Sequence, residues 1–203
     1  MAKHRITLSR IWTVPTGRCS WSLSSLIVLA AMISLPAAAQ TSYQQIDHDR
    51  EYAVKAAFLY HFLTYMEWPE GAFQSADQPF VIGVLASDPF GGALDKVAQS
   101  KTVAGRPIEI RRLQSLDGVH ACHILFVPSS VPKSTQDAAI QAVRGIHVLT
   151  VGETEDFVDR GGAAHFYVDG DKVRFAFSSD VVEGKHFKIS SKLLSLAKIV
   201  STH

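Results

Sequence analysis

Residues 80–95 read FVIGVLASDPFGGALD, which predicts a strand, a turn and a helix in immediate succession. The run FVIGVLA is apolar throughout, as expected of a strand buried on both faces of a parallel sheet. Asp88 is a favoured residue for a helix N-cap, and Pro89 suits the first position of a helix. A strand that leads directly into a helix is typical of an α/β fold.

The turn in this stretch also raises the question of a bound ligand. Helix N-termini that follow strands often bind phosphate through their free N–H groups. This turn lacks the glycine spacing of a dinucleotide fingerprint and the lysine of a phosphate loop, and Asp88 would repel an anion. The preferred interpretation is a helix cap with close packing at the two glycines, and the alternative is a small-ligand site at Asp88, Gly91 and Gly92.

Strand and helix patterns alternate along the chain on either side of this stretch. Residues 106–113, 122–128 and 147–152 carry strand patterns, and residues 134–145 carry a helical pattern that ends in glycine. Strands separated by helices predict a parallel sheet with right-handed crossovers. We therefore expect a three-layer α/β domain with a mostly parallel central sheet and helices on both faces.

Residues 164–178 predict an antiparallel hairpin in the C-terminal part of the domain. Asp169-Gly170 is a strong signal for a two-residue turn between the runs AHFYV and KVRFAFS. A turn at that dipeptide predicts two opposed pairs, Phe166 with Val173 and His165 with Arg174. The alternation of the two strands then separates an apolar face from a polar one.

The polar face of this hairpin is the candidate partner-binding site. It carries His165, Tyr167, Lys172 and Arg174, and tyrosine and arginine are common anchors of protein interfaces. Lys192, further along the chain, is a weaker addition to the set. The alternative is a solvated sheet face, or a face covered by a C-terminal helix.

Two further segments show helical periodicity. Residues 51–66, EYAVKAAFLYHFLTYM, carry a broad apolar stripe that predicts a mostly buried helix, and Pro69 follows as a helix breaker. Residues 189–200, ISSKLLSLAKIV, predict a closing helix. Its inward positions would be Ile189, Leu193, Ala197 and Val200.

The first 39 residues have the three parts of a secretory signal peptide. A basic leader without acidic residues precedes the apolar segment WSLSSLIVLAAMISL, and Pro36 and three alanines follow. Cleavage is predicted after Ala39, with an uncleaved membrane anchor as the alternative. Residues 40–50 are polar and predict a flexible N-terminal tail, and residues 51–203 then form one domain.

The net charge and the cysteine content argue against some classes of protein. The chain has 20 basic and 19 acidic residues, and the leader holds four of the basic ones, so the exported part has a formal net charge of −3. A slightly negative net charge of this kind does not favour binding to nucleic acid. Cys122 is the only cysteine after export, so no internal disulfide can form, and we expect this thiol to be buried.

The sequence predicts no catalytic site and no metal site. The segment HACH, residues 120–123, contains zinc-type donors, but zinc needs three or four ligands and no second cluster has matching spacing. Acidic residues at 153, 155, 156 and 159 are expected to form a solvated turn. No nucleophile and base can be paired, so we expect no catalysis, no metal and no cofactor.

Seven segments form an ordered set along the chain: EYAVKAAFLYHFLTYMEWP, FVIGVLASDPFGGALD, GRPIEIRRL, CHILFV, VLTVGE, FVDRGGAAHFYVDGDKVRFAFS and KISSKLLSLAKIV. Together they resemble the YfiR-like (YfiR/HmsC-like) family of bacterial periplasmic regulatory proteins. The resemblance extends over residues 51–200. It implies an α/β fold and a location in the periplasm, which the predicted signal peptide favours independently.

The resemblance implies a regulator rather than an enzyme. In the type system, such a protein binds the periplasmic region of an inner-membrane diguanylate cyclase and represses it, which limits cyclic di-GMP and biofilm formation. The resemblance also implies a homodimer and an outer-membrane lipoprotein that can sequester the repressor. Some relatives carry cysteine pairs that form disulfides, which this chain lacks. The alternative function is a periplasmic small-molecule sensor, with its ligand at the strand-to-helix turn.

Overall fold

A computed structural model describes the backbone of residues 37–201, with side chains described from residue 47. The α/β domain lies within Tyr43–His203. The predicted signal peptide falls almost wholly on residues 1–36, which lie outside the described residues. The helices of the described chain are α1 Ala37–Tyr65, α2 Ala93–Ser100, α3 Lys133–Ala142, α4 Ser179–Gly184 and α5 Ser191–Leu194, with a 3₁₀ turn at Val119–Ala121.

Ten strands accompany these helices in the described part of the chain. They are β1 Met66–Glu67, β2 Phe80–Leu85, β3 Thr102–Val103, β4 Arg106–Leu113, β5 Ile124–Val127, β6 Leu149–Gly152, β7 Ala164–Asp169, β8 Lys172–Ser178, β9 Lys188–Ile189 and β10 Ala197–Val200. Eight of them form one sheet in the order β10-β8-β7-β6-β5-β2-β4-β3, and β1 pairs with β9 apart from it. Neighbours in the large sheet run parallel except at β7–β8 and β3–β4.

Two apolar cores cover the two faces of this sheet. Phe80, Ile82 and Val84 of β2 join the core that also contains the apolar residues of α1, α4 and α5. Val81 and Leu85 of the same strand join the other core, to which α3 and the 3₁₀ turn contribute. Side chains that alternate along a strand therefore divide between the two helical layers. The three-layer α/β fold with a mostly parallel sheet is confirmed.

The hairpin is present, but its predicted register is wrong by two residues. Asp169 pairs with Lys172, so the two turn residues are Gly170 and Asp171 rather than Asp169 and Gly170. Gly170 has a φ of 64° at the first central position of the turn, a conformation that glycine adopts without strain. A shift of two residues keeps every side chain on its predicted face, because the side-chain period of a strand is two.

The first helix begins earlier than the sequence predicts. Residues 40–50, expected as a flexible tail, are helical in the structure and belong to α1, which runs from Ala37 to Tyr65. No proline or glycine interrupts this segment, so its polar composition is compatible with a helix. Although α1 has 29 residues, no helix in the described part of the chain combines the length and apolar content needed to span a membrane.

The prediction of one C-terminal helix over residues 189–200 is also wrong. Ser190 caps the short helix α5, whose Leu193 is buried as predicted, and the chain then enters β10. This strand lies parallel to β8, with Ala197 opposite Phe175. The β-branched Ile199 and Val200 favour a strand, and the sequence alone does not reveal that the edge of β8 is vacant.

Gly83 of β2 packs against Cys122, and this contact leaves no room for a side chain at residue 83. A Cβ atom at this position would stand 2.5 Å from Cys122 Sγ and 3.2 Å from Leu113 Cδ1. We expect Gly83→Ala to lower the free energy of unfolding by about 1–3 kcal/mol, measured by urea denaturation, because the methyl group overpacks this core. Cys122→Ala in the same chain should restore part of that loss, since it removes the clashing sulfur.

Gly184→Ala is the matched control, because a Cβ there would meet no heavy atom within 4 Å. It should leave the unfolding free energy unchanged or slightly higher. Strictly additive effects of the Gly83 and Cys122 substitutions would contradict this packing account.

Candidate functional site

The hairpin face is the side of β7 and β8 that carries His165, Tyr167, Lys172 and Arg174. Tyr167 lies directly opposite Arg174 in the ladder. On the other side of the same strands, Phe166 and Phe175 pack into the core beneath α1. The structure therefore brings these four predicted site residues together on one face, and their role in binding a partner stays a prediction.

Exposure on the hairpin face rises from the centre of the sheet toward the turn. Tyr167 is half-buried, whereas Lys172 and Arg174 are exposed. Arg174 Nε donates to Asp169 Oδ2 at 3.1 Å. Exposed pairs of this kind contribute little to stability, so the guanidinium can exchange Asp169 for an acidic group of a partner.

His165 is the buried member of the hairpin face, with 8% of its surface exposed. Its Nδ1 has no hydrogen-bond partner among the described residues. Burial lowers the pKa of His165, and the carboxylates of Asp159 and Glu155 oppose that shift. The imidazole is therefore neutral at pH 7, and its ring centroid lies 5.8 Å from that of Tyr167.

Lys192 lies apart from the other predicted site residues. Its Nζ is 5.9 Å from the ring centroid of Tyr65 in α1, and its neighbour Leu193 is part of the core beneath that helix. The hairpin face is on the opposite side of the sheet. The structure thus separates Lys192 from the set to which the sequence assigned it.

The turn after β2 is built differently from the predicted helix cap. Asp88 Oδ1 accepts a hydrogen bond from the backbone N–H of Phe90 at 2.8 Å, and Oδ2 accepts from Arg112 Nε at 2.8 Å. Helix α2 begins only at Ala93, with Gly92 in the N-cap position. Asp88 therefore stabilises the turn that precedes the helix, and the prediction that it caps the helix is wrong.

Gly91 and Gly92 are explained by backbone conformation. Their φ angles are 54° and 87°, and a Cβ atom at either position would meet no heavy atom within 4 Å. The expected close packing at these glycines is wrong, because the left-handed backbone alone favours glycine. The contacts of Asp88, Gly91 and Gly92 need no ligand, and a small-ligand site at these residues stays a prediction.

Sequence reasoning missed a buried ion pair at the carboxyl end of β6. Lys55 Nζ of α1 lies 2.6 Å from Glu153 Oε1, and each side chain is only 5% exposed. Glu153 Oε2 also accepts from the backbone N–H of Ser129 at 2.8 Å. The pair therefore joins α1 to the loops that follow β5 and β6. Its signal in the sequence is a lysine within the otherwise apolar pattern of residues 51–66.

The surroundings of this pair balance its charges. Lys55 also forms an ion pair with Glu51, one helical turn earlier, and its Nζ is 4.3 Å from the ring centroid of Tyr52. Burial, and secondly the charge of Glu153, raises the pKa of the Tyr52 hydroxyl, which stays protonated. The charged groups of this cluster pair with one another, which favours a structural role for the cluster.

The HACH segment uses its donors within the fold. His123 Nδ1 accepts from the backbone N–H of Val81 at 3.0 Å, so Nε2 carries the proton and donates to the carbonyl of Ala72 at 3.1 Å. Burial raises the pKa of the Cys122 thiol to about 11, which keeps it protonated. Among the described residues, no three His, Cys, Asp or Glu side chains are grouped so that they could hold a metal ion.

A comparison with protein families gives a match that covers most of the domain. Residues 52–198 match the model of a family described as YfiR/HmsC-like, and the chain therefore belongs to that family. Proteins of this family are periplasmic and regulatory, and they act in diguanylate cyclase signalling. No curated protein matches the chain.

Glu153→Gln tests the buried ion pair. The substitution leaves Lys55 buried with one acidic partner fewer, so we expect the free energy of unfolding to fall by about 3 kcal/mol in urea denaturation. Glu155→Gln, two residues away and exposed, is the control and should change it by less than about 0.5 kcal/mol. Equal effects of the two substitutions would show that the pair does not stabilise the fold.

Proposed function

We propose that this member of the YfiR/HmsC-like family represses an inner-membrane diguanylate cyclase by binding the periplasmic region of that enzyme. The family match supports a regulatory role in this signalling system. The observation that carries the proposal is the hairpin face, where an aromatic ring and two exposed basic residues lie together on an antiparallel ladder. The chain acts in this proposal as a binding protein and not as an enzyme.

The hairpin face has the chemistry of an interface for an acidic partner surface. Arg174 and Lys172 are exposed near the turn, and Tyr167 is half-buried beside them. A half-buried tyrosine supplies contact area at a low cost in conformational entropy, and arginine can bind a carboxylate with two hydrogen bonds. Charge at the edge of such a contact mainly sets the rate and the specificity of association.

Repression follows from preferential binding to one conformation of the cyclase. A repressor that binds the inactive conformation more tightly shifts the population of the enzyme toward it. A hundredfold shift needs about 2.8 kcal/mol of differential binding free energy, which a few contacts of this kind can supply. No covalent step is required of the chain.

The other parts of the proposal come from the family and the leader sequence. The signal peptide predicted at residues 1–39 would deliver the chain to the periplasm. An outer-membrane lipoprotein that sequesters the repressor would relieve the cyclase, raise cyclic di-GMP and promote biofilm formation. A homodimer would present two copies of the hairpin face to a cyclase dimer.

Arg174→Glu tests the assignment of the interface. The substitution reverses a charge on an exposed residue, so it should leave the fold intact and weaken the complex with the periplasmic region of the cyclase at least tenfold. Binding would be measured by biolayer interferometry, and repression by cellular cyclic di-GMP.

Lys192→Glu is the matched control, because it reverses the same charge on the opposite side of the sheet. It should bind and repress like the unmodified chain. If Lys192→Glu disrupts the complex and Arg174→Glu does not, the interface lies on the side of α1 and the hairpin assignment is wrong.

A further inference from the structure

Exposed apolar side chains are concentrated near the C-terminal end of the described chain. Three of its five exposed large apolar residues fall within six positions: Leu194, Leu196 and Ile199, with 40%, 57% and 47% of their surface exposed. Single apolar residues on a surface are ordinary, whereas a group of them marks a contact with another molecule or with a membrane. These three side chains are called the aliphatic patch below.

The aliphatic patch lies on the side of the sheet that α1 covers. Ile199 is opposite Phe177 in the parallel ladder of β10 and β8, and Phe177 belongs to the core beneath α1. Leu194 and Ile199 line a groove of about 210 Å³, and Leu196 lines a second groove of about 250 Å³ against Tyr65 of α1. The patch is therefore an apolar strip along two grooves at the edge of the sheet.

Basic residues accompany the patch. Residues 184–203 contain four lysines and no acidic residue, although the exported part of the chain is net negative. Two of these lysines are engaged, one in an ion pair and one with backbone carbonyls. The other two, Lys192 and Lys198, are exposed and form no ion pair within the described residues. Among the residues that line the two grooves, Glu183 is the acidic one.

The two free lysines differ in position. Lys192 lines the groove that contains Leu196, so its charge lies at the patch itself. Lys198 leaves β10 on the other side of the strand and shares a cleft there with Glu155 and Asp159. Lys192 therefore makes the larger contribution to the positive charge of the patch.

The composition of the patch favours a lipid surface over a protein as its partner. The centres of protein interfaces are enriched in Trp, Tyr and Arg and depleted in Lys, and leucine is under-represented among their hot spots. Aliphatic side chains flanked by lysines are typical of segments that lie in a membrane interface. Lys198 also lies on β10, the terminal strand of the large sheet, and a lysine on such an edge discourages pairing with another strand.

We propose that the aliphatic patch docks on the surface of a phospholipid bilayer that contains anionic lipid. The three aliphatic side chains enter the boundary between headgroups and acyl chains, and Lys192 binds lipid phosphate. The backbone groups at the free edge of β10 keep this strand at the level of the headgroups, because hydrocarbon offers them no hydrogen-bond partner. The contact uses no residue of the hairpin face, so it goes beyond the proposed function and does not depend on it.

The first measurement is the partition of the exported chain into large unilamellar vesicles, followed by co-sedimentation. Vesicles of phosphatidylethanolamine with phosphatidylglycerol should bind the chain about tenfold more tightly than vesicles of phosphatidylcholine alone, and added salt should reduce this difference. All variants are compared at the same N-terminus, so that a contribution of the leader cancels. Absence of binding to the anionic vesicles would overturn the proposal.

Leu196→Ser combined with Ile199→Thr tests the apolar part of the contact. It should weaken partition about tenfold or more, because fewer apolar groups enter the bilayer, and threonine keeps the β-branched side chain that suits a strand. The matched control is Val54→Thr combined with Val168→Thr, which changes two exposed apolar side chains outside the patch. The control should bind vesicles as the unmodified chain does, and equal losses from the two pairs would contradict docking at the patch.

Lys192→Gln tests the charge without touching a packed side chain. It should weaken partition into the anionic vesicles about fivefold, the contribution of one lysine at an anionic surface. Glu183→Gln removes the acid that borders the grooves and should strengthen partition. Lys101→Gln, at an exposed lysine just after α2, is the control and should have no effect. Equal effects of Lys192→Gln and Lys101→Gln would show that the patch does not bind anionic lipid.

Sedimentation velocity separates a lipid surface from a second copy of the chain. A chain that binds no vesicles, but forms a dimer that Leu196→Ser with Ile199→Thr dissociates, would show that the patch joins two copies. Arg174→Glu should bind vesicles as the unmodified chain does, and Lys192→Glu should still bind the periplasmic region of the cyclase. Failure of the membrane contact and failure of the proposed cyclase contact are therefore distinguishable.

Discussion

The docking of α1 against one face of the sheet is the constraint on which the rest of the structure depends. Phe62 packs against Phe166, Phe175 and Phe177, with ring centroids 5.8, 5.0 and 5.2 Å away. Burying these phenylalanines under the helix turns the polar residues of β7 and β8 to the opposite side, because side chains alternate along a strand. The hairpin face therefore exists because the other side of the same strands is committed to the core.

The elements that the sequence predicts well are those whose pattern is local. The apolar run of β2 and the alternation of β4, β7 and β8 determine strands, layers and faces without knowledge of the neighbours. The errors concern elements that depend on distant residues. The chain end at residues 197–200 has a helical pattern but pairs with the free edge of β8, and the turn at Gly170 depends on how both strands fit the sheet. In such cases the pairing of a segment with distant strands determines its structure more strongly than its local propensity does.

The same distinction holds for the site. Strand alternation places His165, Tyr167 and Arg174 on one face, and the structure agrees. The pair of Lys55 and Glu153 joins residues 98 positions apart, so the lysine in the apolar pattern of α1 can suggest a buried charge but cannot identify its partner. Residue type also misleads at Gly91 and Gly92, where backbone conformation and not packing accounts for glycine.

The family to which the chain belongs and the polar side of the hairpin are the two grounds for the proposal that this protein restrains a membrane cyclase by contact. Cellular cyclic di-GMP in a strain that lacks the chain tests this account most directly. It predicts that the level rises on deletion, and that the full-length chain restores it while a version without residues 1–39 does not. An unchanged level on deletion, under conditions in which the chain is produced, would contradict repression.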